Sequence, residues 1–143
     1  KIIQMSEEIK KWHIGLICGS FDVIHPGYIK MFIDTKRVCD KLLIALQSDP
    51  TVDRPYKEKP LQTAEEREFI LRSIKYVDNV IHYTTEAELY NILKTDVYDV
   101  RILGSDYINS DYTGKDLKRP VYFHDRDHKY STTEYKRKIR RKK

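Results

Sequence analysis

At 143 residues, with 40% hydrophobic and 34% charged, the chain has the make-up of one globular domain large enough to bury its own core. No apolar run approaches the roughly 20 residues of a membrane-spanning helix, and residues 1–11 are polar rather than a secretory leader, so a cytoplasmic location and no membrane partner are expected. The net charge of +5 gathers in the tail, residues 136–143, which reads as a solvated helix end, because cations suit a helix C-terminus, and not as a nucleic-acid contact.

Short apolar runs at 13–18, 41–46, 79–83, 100–103 and 121–123 have strand length. Helical spacing fills the gaps. Ile29, Phe32, Ile33 and Lys36 share one face of a helix over 29–38. Thr63, Thr85 and Ser131 each precede a glutamate by three positions, the capping-box spacing, and open helices over 63–74, over 85–94 and at the C-terminal end. The expected fold class is α/β, a Rossmann-like three-layer sandwich with a mostly parallel five-stranded sheet and helices on both faces. One domain covers 1–143, with its core over about 13–139. Cys18 and Cys39 match no metal spacing and are expected in the core.

In such a sheet the ligand lies beyond the C-terminal strand ends, where the strand order reverses. Four polar segments follow strand ends here. The first is Gly19-Ser20-Phe21-Asp22-Val23-Ile24-His25-Pro26-Gly27-Tyr28. Small residues there allow a sharp turn beside a phosphate, and His25 can offer it an N–H. Asp22 either fixes the turn or helps to hold a divalent cation. The second, 48–62, is a basic loop stiffened by Pro50, Pro55 and Pro60. The third holds Gly104, Asp106 and Tyr107, followed by Lys115. The fourth holds Arg126 between His124 and His128, both expected in a loop, and then Ser131, Thr132 and Thr133 at a helix start, where free backbone N–H groups and hydroxyls suit an anion.

Gly19-Ser20-Phe21-Asp22-x-x-His25-x-Gly27 resembles the signature of nucleotidyltransferases with a His-x-Gly-His motif. Within them the chain is most similar to the small cytidylyltransferases typified by glycerol-3-phosphate cytidylyltransferase. The likeness continues through Cys39-Asp40-x-Leu42-x-Ile44-Ala45-Leu46-x-Ser48-Asp49, Glu66-Arg67, Tyr76-Val77-Asp78-x-Val80-Ile81, Gly104-x-Asp106-Tyr107, Arg126 and Ser131-Thr132-Thr133. It implies attack of a substrate phosphate on the α-phosphorus of CTP, with Mg²⁺, release of pyrophosphate and a homodimeric protein.

The resemblance also implies roles. His25, Tyr28, Arg126 and Lys57 are the expected catalytic groups. Gly19, Ser20, Phe21, Gly27, Asp106, Ser131, Thr132 and Thr133 join His25, Tyr28 and Arg126 around the nucleotide. Arg54, Lys57 and Asp22, with Lys59 after them, face a small phosphorylated acceptor such as glycerol 3-phosphate. One position departs from the pattern: Tyr28 stands where the family has its second histidine. A phenol with a pKa near ~10 donates a hydrogen bond but brings no positive charge. Three expectations follow: an enzyme with a compensating cation, for which Lys115 is the candidate, a slow enzyme, or a CTP-binding module with little turnover. Adenylyl transfer to a sugar phosphate is the alternative reaction.

Overall fold

The computed structural model describes residues 10–127 and 129–141. Five strands, β1 (Trp12–Gly19), β2 (Cys39–Gln47), β3 (Asn79–Tyr83), β4 (Val100–Gly104) and β5 (Val121–His124), alternate with four helices, α1 (Pro26–Val38), α2 (Ala64–Arg72), α3 (Glu86–Leu93) and α4 (Thr132–Arg141). The sheet order is β3-β2-β1-β4-β5, and every neighbouring pair is parallel. The expected Rossmann-like sandwich is present, with the sheet wholly rather than mostly parallel.

Strand β2 explains the layering. Its residues Leu42 to Gln47 are all buried, as a strand covered on both faces must be. Leu42, Ile44 and Leu46 pack with Phe32 of α1 and Leu71 of α2. The alternate residues Leu43 and Ala45 pack with Leu89 and Leu93 of α3. This period of two assigns α1 and α2 to one face and α3 to the other. Thr63 and Glu66 complete a reciprocal capping box at α2, as do Thr85 and Glu88 at α3, each cap being worth about 1 kcal/mol.

Helix α1 opens at Pro26, three residues before the sequence pattern suggests. Proline presets the first helical φ, and the Nδ1 of His25 accepts the Gly27 N–H at 3.0 Å, doing the work of a capping oxygen. His124, expected in a loop, is instead the buried last residue of β5, its Nδ1 2.8 Å from Asp34 of α1. The N-terminal arm over 1–9, His128 and the last two lysines lie outside the described residues. No described helix is long and apolar enough to cross a membrane.

Candidate functional site

Because strand order reverses between β1 and β4, their C-terminal ends flank a crevice. A cleft of about 700 Å³ opens there. Gly19, Ser20, Phe21, Asp22, Tyr28, Arg54, Lys57, Gly104, Tyr107, Thr132 and Thr133 line it, so all four polar segments converge as expected.

The loop after β1 holds its shape under strain. Phe21 and Val23 both have positive φ, 51° and 57°. For a non-glycine residue, and most of all a β-branched one, that conformation costs of order 1–3 kcal/mol. Gly19, expected to make the sharp turn, closes β1, and the turn falls on Phe21 and Val23. What holds it is visible. Phe21 is buried against Tyr28 and Phe32, and the Val23 N–H donates to Gln62 Oε1. Asp22, 5% exposed, accepts N–H bonds from Leu61 at 2.8 Å and Gln62 at 3.1 Å. Arg67 clamps the same region from α2. Fully buried, it donates to the carbonyls of Ser20, Gln47, Ser48 and Gln62 and ties the ends of β1 and β2 together.

Of the roles expected for Asp22, the structure displays the turn-fixing one. Lys136 of α4 places its Nζ 2.7 Å from Asp22 Oδ2, the same oxygen that accepts from Leu61. Burial alone would raise the Asp22 carboxyl, but the Lys136 ammonium and the two backbone N–H groups outweigh it and hold it below its usual value. Among the described residues there is no group of three or more His, Cys, Asp or Glu that could cage a metal ion.

Lys136 is the cation that the sequence pattern hid. It lies within the basic tail, yet it is 8% exposed and lines the cleft beside Tyr28, Thr132 and Thr133. Lys115, the expected compensating cation, instead donates to Ser110 O and lies over the Tyr112 ring, off the cleft wall. The Tyr28 hydroxyl is 3.2 Å from Thr132 Oγ1, and that threonine hydroxyl donates its one proton to Asp22 O at 3.1 Å. Tyr28 is then the donor to Thr132. Burial pushes the Tyr28 phenol up, so it stays a protonated, neutral donor.

His25 is placed behind this wall. Its ring packs at a tilt against Tyr28, with centroids 4.5 Å apart, and stacks on Tyr135 at 5.7 Å. With Nδ1 accepting from Gly27, the neutral ring carries its proton on Nε2. His25, Gly27, Asp106, Arg126 and Ser131 are not on the cleft surface. Arg126 crosses the end of β4 at the rim, 3.5 Å from Asp106 Oδ2, and donates to Tyr130 O. Ser131 caps α4 by accepting from Glu134 N, which leaves the N–H groups of Thr132 and Thr133 without intrahelical acceptors at the cleft edge. Of the loop cations, Arg54 pairs with Glu86 at 3.4 Å, Lys57 is exposed on the cleft wall, and Lys59 pairs with Asp49 away from it.

The α3 end of the cleft holds groups not anticipated from the sequence. Arg101 of β4 is 8% exposed, and its guanidinium carbon lies 5.4 Å from the Tyr112 ring centre while Nη1 donates to Thr113 O. Thr113 Oγ1 donates to Glu86 Oε1 at 2.6 Å, and Gln47 Nε2 lies 3.4 Å from Glu86 Oε2. Cys18 is half-buried, packed against the α3-face core and lining this wall, and burial raises its thiol to about 11 despite the opposing Arg101 charge. It is a thiol at neutral pH and no nucleophile. Cys39 is buried as expected.

A crevice at the reversal of a parallel sheet, with unbonded N–H groups at a helix start and cations on its walls, suits a phosphate-bearing ligand such as a nucleotide. Comparison with known proteins sharpens the class. A family described as cytidylyltransferase-like matches residues 16–138, and the chain belongs to that family. It is 30% identical over 122 residues to the bifunctional protein HldE of Gluconacetobacter diazotrophicus, covering 81% of this chain and 25% of that protein. With the same-named protein of Paramagnetospirillum magneticum it shares 31% over 118 residues, 78% of this chain and 24% of the relative. The chain thus spans about a quarter of the length of these relatives. Among solved structures, the lipopolysaccharide core biosynthesis protein from Thermoplasma volcanium GSS1 superposes with a TM-score of 0.64 at 21% identity, covering 84% of this chain and 99% of that one.

Proposed function

We propose that the protein transfers CMP from CTP to a small phosphorylated alcohol of the glycerol 3-phosphate kind and releases pyrophosphate. An oxygen of the acceptor phosphate attacks the α-phosphorus, the bond from that phosphorus to the bridging oxygen breaks, and its electron pair leaves on pyrophosphate. A dissociated phosphate is nucleophilic near neutral pH, so no general base is needed. The protein's work is to align two anions and to neutralise the charge that grows between them.

One observation carries this reading: the nearly buried Lys136 ammonium in the cleft wall beside Tyr28. It supplies the positive charge that a second motif histidine would bring, and Tyr28 supplies the hydrogen bond. The α4 start, with Thr132 and Thr133, takes the β- and γ-phosphates, and Arg126 closes over the nucleotide from the rim. His25 holds the Tyr28 ring and donates from Nε2. Lys57 and Arg54 draw in the acceptor phosphate. Mg²⁺ would travel with the triphosphate, held by phosphate oxygens and water, since Asp22 is committed to Lys136 and two amides.

Adenylyl transfer to a sugar phosphate is the second reading, favoured by the polar α3 end of the cleft, which suits a hydroxyl-rich acceptor. The deciding experiment follows pyrophosphate from each of the four common nucleoside triphosphates with Mg²⁺ and an acceptor panel. Release from CTP is expected. Release from ATP alone would transfer the assignment to adenylyl chemistry. Tight CTP binding with no release for any acceptor would make the protein a nucleotide-binding module. A cytoplasmic homodimer belongs to the same proposal, and sedimentation checks the oligomeric part of it.

A further inference from the structure

The loop between β2 and α2 runs along the cleft as a strap, tied down by side chains at both ends. At the α3 end, Asp53 accepts the Glu86 N–H at 2.6 Å and Arg54 pairs with Glu86 at 3.4 Å. At the α4 end the tie is Glu58. Its Oε2 pairs with Arg140, and its Oε1 lies 3.8 Å from the Lys136 ammonium. Glu58 therefore lines the cleft together with Lys136, Thr132 and Thr133, the place proposed for the β- and γ-phosphates. A carboxylate at that point occupies cations that a polyphosphate needs and repels one that arrives. The fold gains little from it. Lys136 already has Asp22 at 2.7 Å, and Glu58 and Arg140 are both more than half exposed or close to it, 50% and 56%, so their pair adds little stability. A weak tie across a charged site is one that a ligand can displace.

We propose that Glu58 is an autoinhibitory latch. Its carboxylate holds the strap against α4 by occupying Lys136 and Arg140, and a triphosphate enters by displacing it, which frees the strap. The latch rests on the placement of the phosphates in the nucleotidyl-transfer reading and adds a regulation of that site. Displacement follows from charge alone. Phosphate oxygens that reach Lys136 from the α4 start meet the Glu58 carboxylate on the same ammonium, and the half-exposed glutamate can leave for water while the nearly buried lysine cannot. Asp22 does not compete in the same way, because Leu61 and Gln62 hold it in place.

Release of the strap can be read without any assay of transfer. Tyr56, 81% exposed and two residues before Glu58, gives the strap a site for chymotrypsin, whereas residues 136–143 contain no aromatic residue or leucine. A protease needs its segment to detach locally, so brief digestion of the full chain, with the cut after Tyr56 counted by mass spectrometry, measures the open fraction of the strap. Glu58→Gln should be cut about threefold faster than wild type or more, with a melting temperature within about 2 °C, as for other exposed positions. Inorganic tripolyphosphate should speed the wild-type cut by a similar factor and leave the Glu58→Gln rate unchanged. By calorimetry, the variant should bind tripolyphosphate about three- to tenfold more tightly. Equal cutting of the two proteins, wild-type cutting that tripolyphosphate slows or leaves alone, or weaker binding by the variant would overturn the latch. Pyrophosphate release from CTP scores the transfer reading separately. Release with an unresponsive strap keeps that reading and rejects the latch, and a responsive strap without release keeps the latch as the gate of a polyphosphate site.

Discussion

The ammonium of Lys136 and the carboxylate of Asp22 meet at 2.7 Å, joining the last helix to the strained loop that follows β1. The pair has two consequences that separate cleanly. Asp22 also fixes Leu61 and Gln62, so the contact organises the cleft wall. Lys136 also faces the cleft, so it brings charge to the place where Tyr28 cannot. Removing that charge should cost on the order of 1–3 kcal/mol in the transition state, about ten- to a hundredfold in kcat. Lys136→Met is therefore expected to lower kcat by that factor. Adding Tyr28→His should recover much of the loss without changing the melting temperature of the single variant. Recovery by Asp22→Asn instead, with stability restored in step, would leave Lys136 a structural staple only.

The same pair sets a pH dependence whose sign is determined. Asp22 has a folded-state pKa below its ordinary value, because the Lys136 ammonium and two amides prefer the carboxylate against the opposing effect of burial. The stabilisation it contributes is complete above the unfolded-state pKa, near ~4, and is lost as the pH falls through the folded-state value. Asp78, bonded to Lys36 and to Leu42 N, shifts in the same direction, so acid unfolding is shared. The informative quantity is a difference. Denaturant titrations between pH 7 and pH 3 should find Asp22→Asn less stable than wild type at pH 7, with the gap narrowing below about pH 4. A gap that stays constant over that range would show that the Asp22 carboxylate gains nothing from folding.

Arg67 should be among the costliest polar residues to replace. Its guanidinium reaches carbonyls at the ends of both β1 and β2 as well as Gln62 O, a fork geometry that a lysine cannot reproduce. Hydrogen bonds to charged groups contribute about 1.5–3 kcal/mol each, and a lysine in the same space leaves at least two carbonyls unmet, so Arg67→Lys should destabilise by about 3 kcal/mol or more. Urea denaturation measures this directly. A loss under ~1 kcal/mol would mean that water replaces the guanidinium at those carbonyls, and the clamp would then be no explanation of the loop geometry.

Strands and helices were legible because each buries a periodic face: β3 spans the same residues as its apolar run, and both threonine capping boxes close as their spacing indicates. The convergence of polar segments was legible for a topological reason, since every loop after a parallel strand emerges on one edge. What the sequence obscured was the state of individual charges. Lys136 belongs to a run of lysines and arginines, and only the angle of α4 separates it from its solvated neighbours. Arg101 lies in a strand whose other residues are apolar, and composition does not reveal that its side chain turns towards the cleft. His25 does not resemble a cap, because capping is normally a task for side-chain oxygens, so the start of α1 is missed by three residues. Asp22 has the look of a metal or substrate ligand in a motif and becomes a bracket once Leu61 and Lys136 are in place.

Gly104 at the end of β4 offers a test of Arg126 that leaves both charged groups intact. A Cβ there would lie 2.5 Å from Asp106 Oδ1 and 2.9 Å from Arg126 Cδ, so alanine forces the arginine off the strand end. Both neighbours are exposed side chains able to move, so the cost to stability should be small, under about 1 kcal/mol by the usual range for surface changes. The cost to nucleotide binding should be larger, because the proposed contact depends on Arg126 crossing at that point. Gly104→Ala is expected to raise the KM for the nucleotide at least fivefold while the melting temperature moves by only a few degrees, and Arg126→Ala should give a similar KM. In the double variant the two effects should not add, since the glycine acts only through the arginine. Additive losses would place the role of Gly104 elsewhere, in the backbone of the cleft itself.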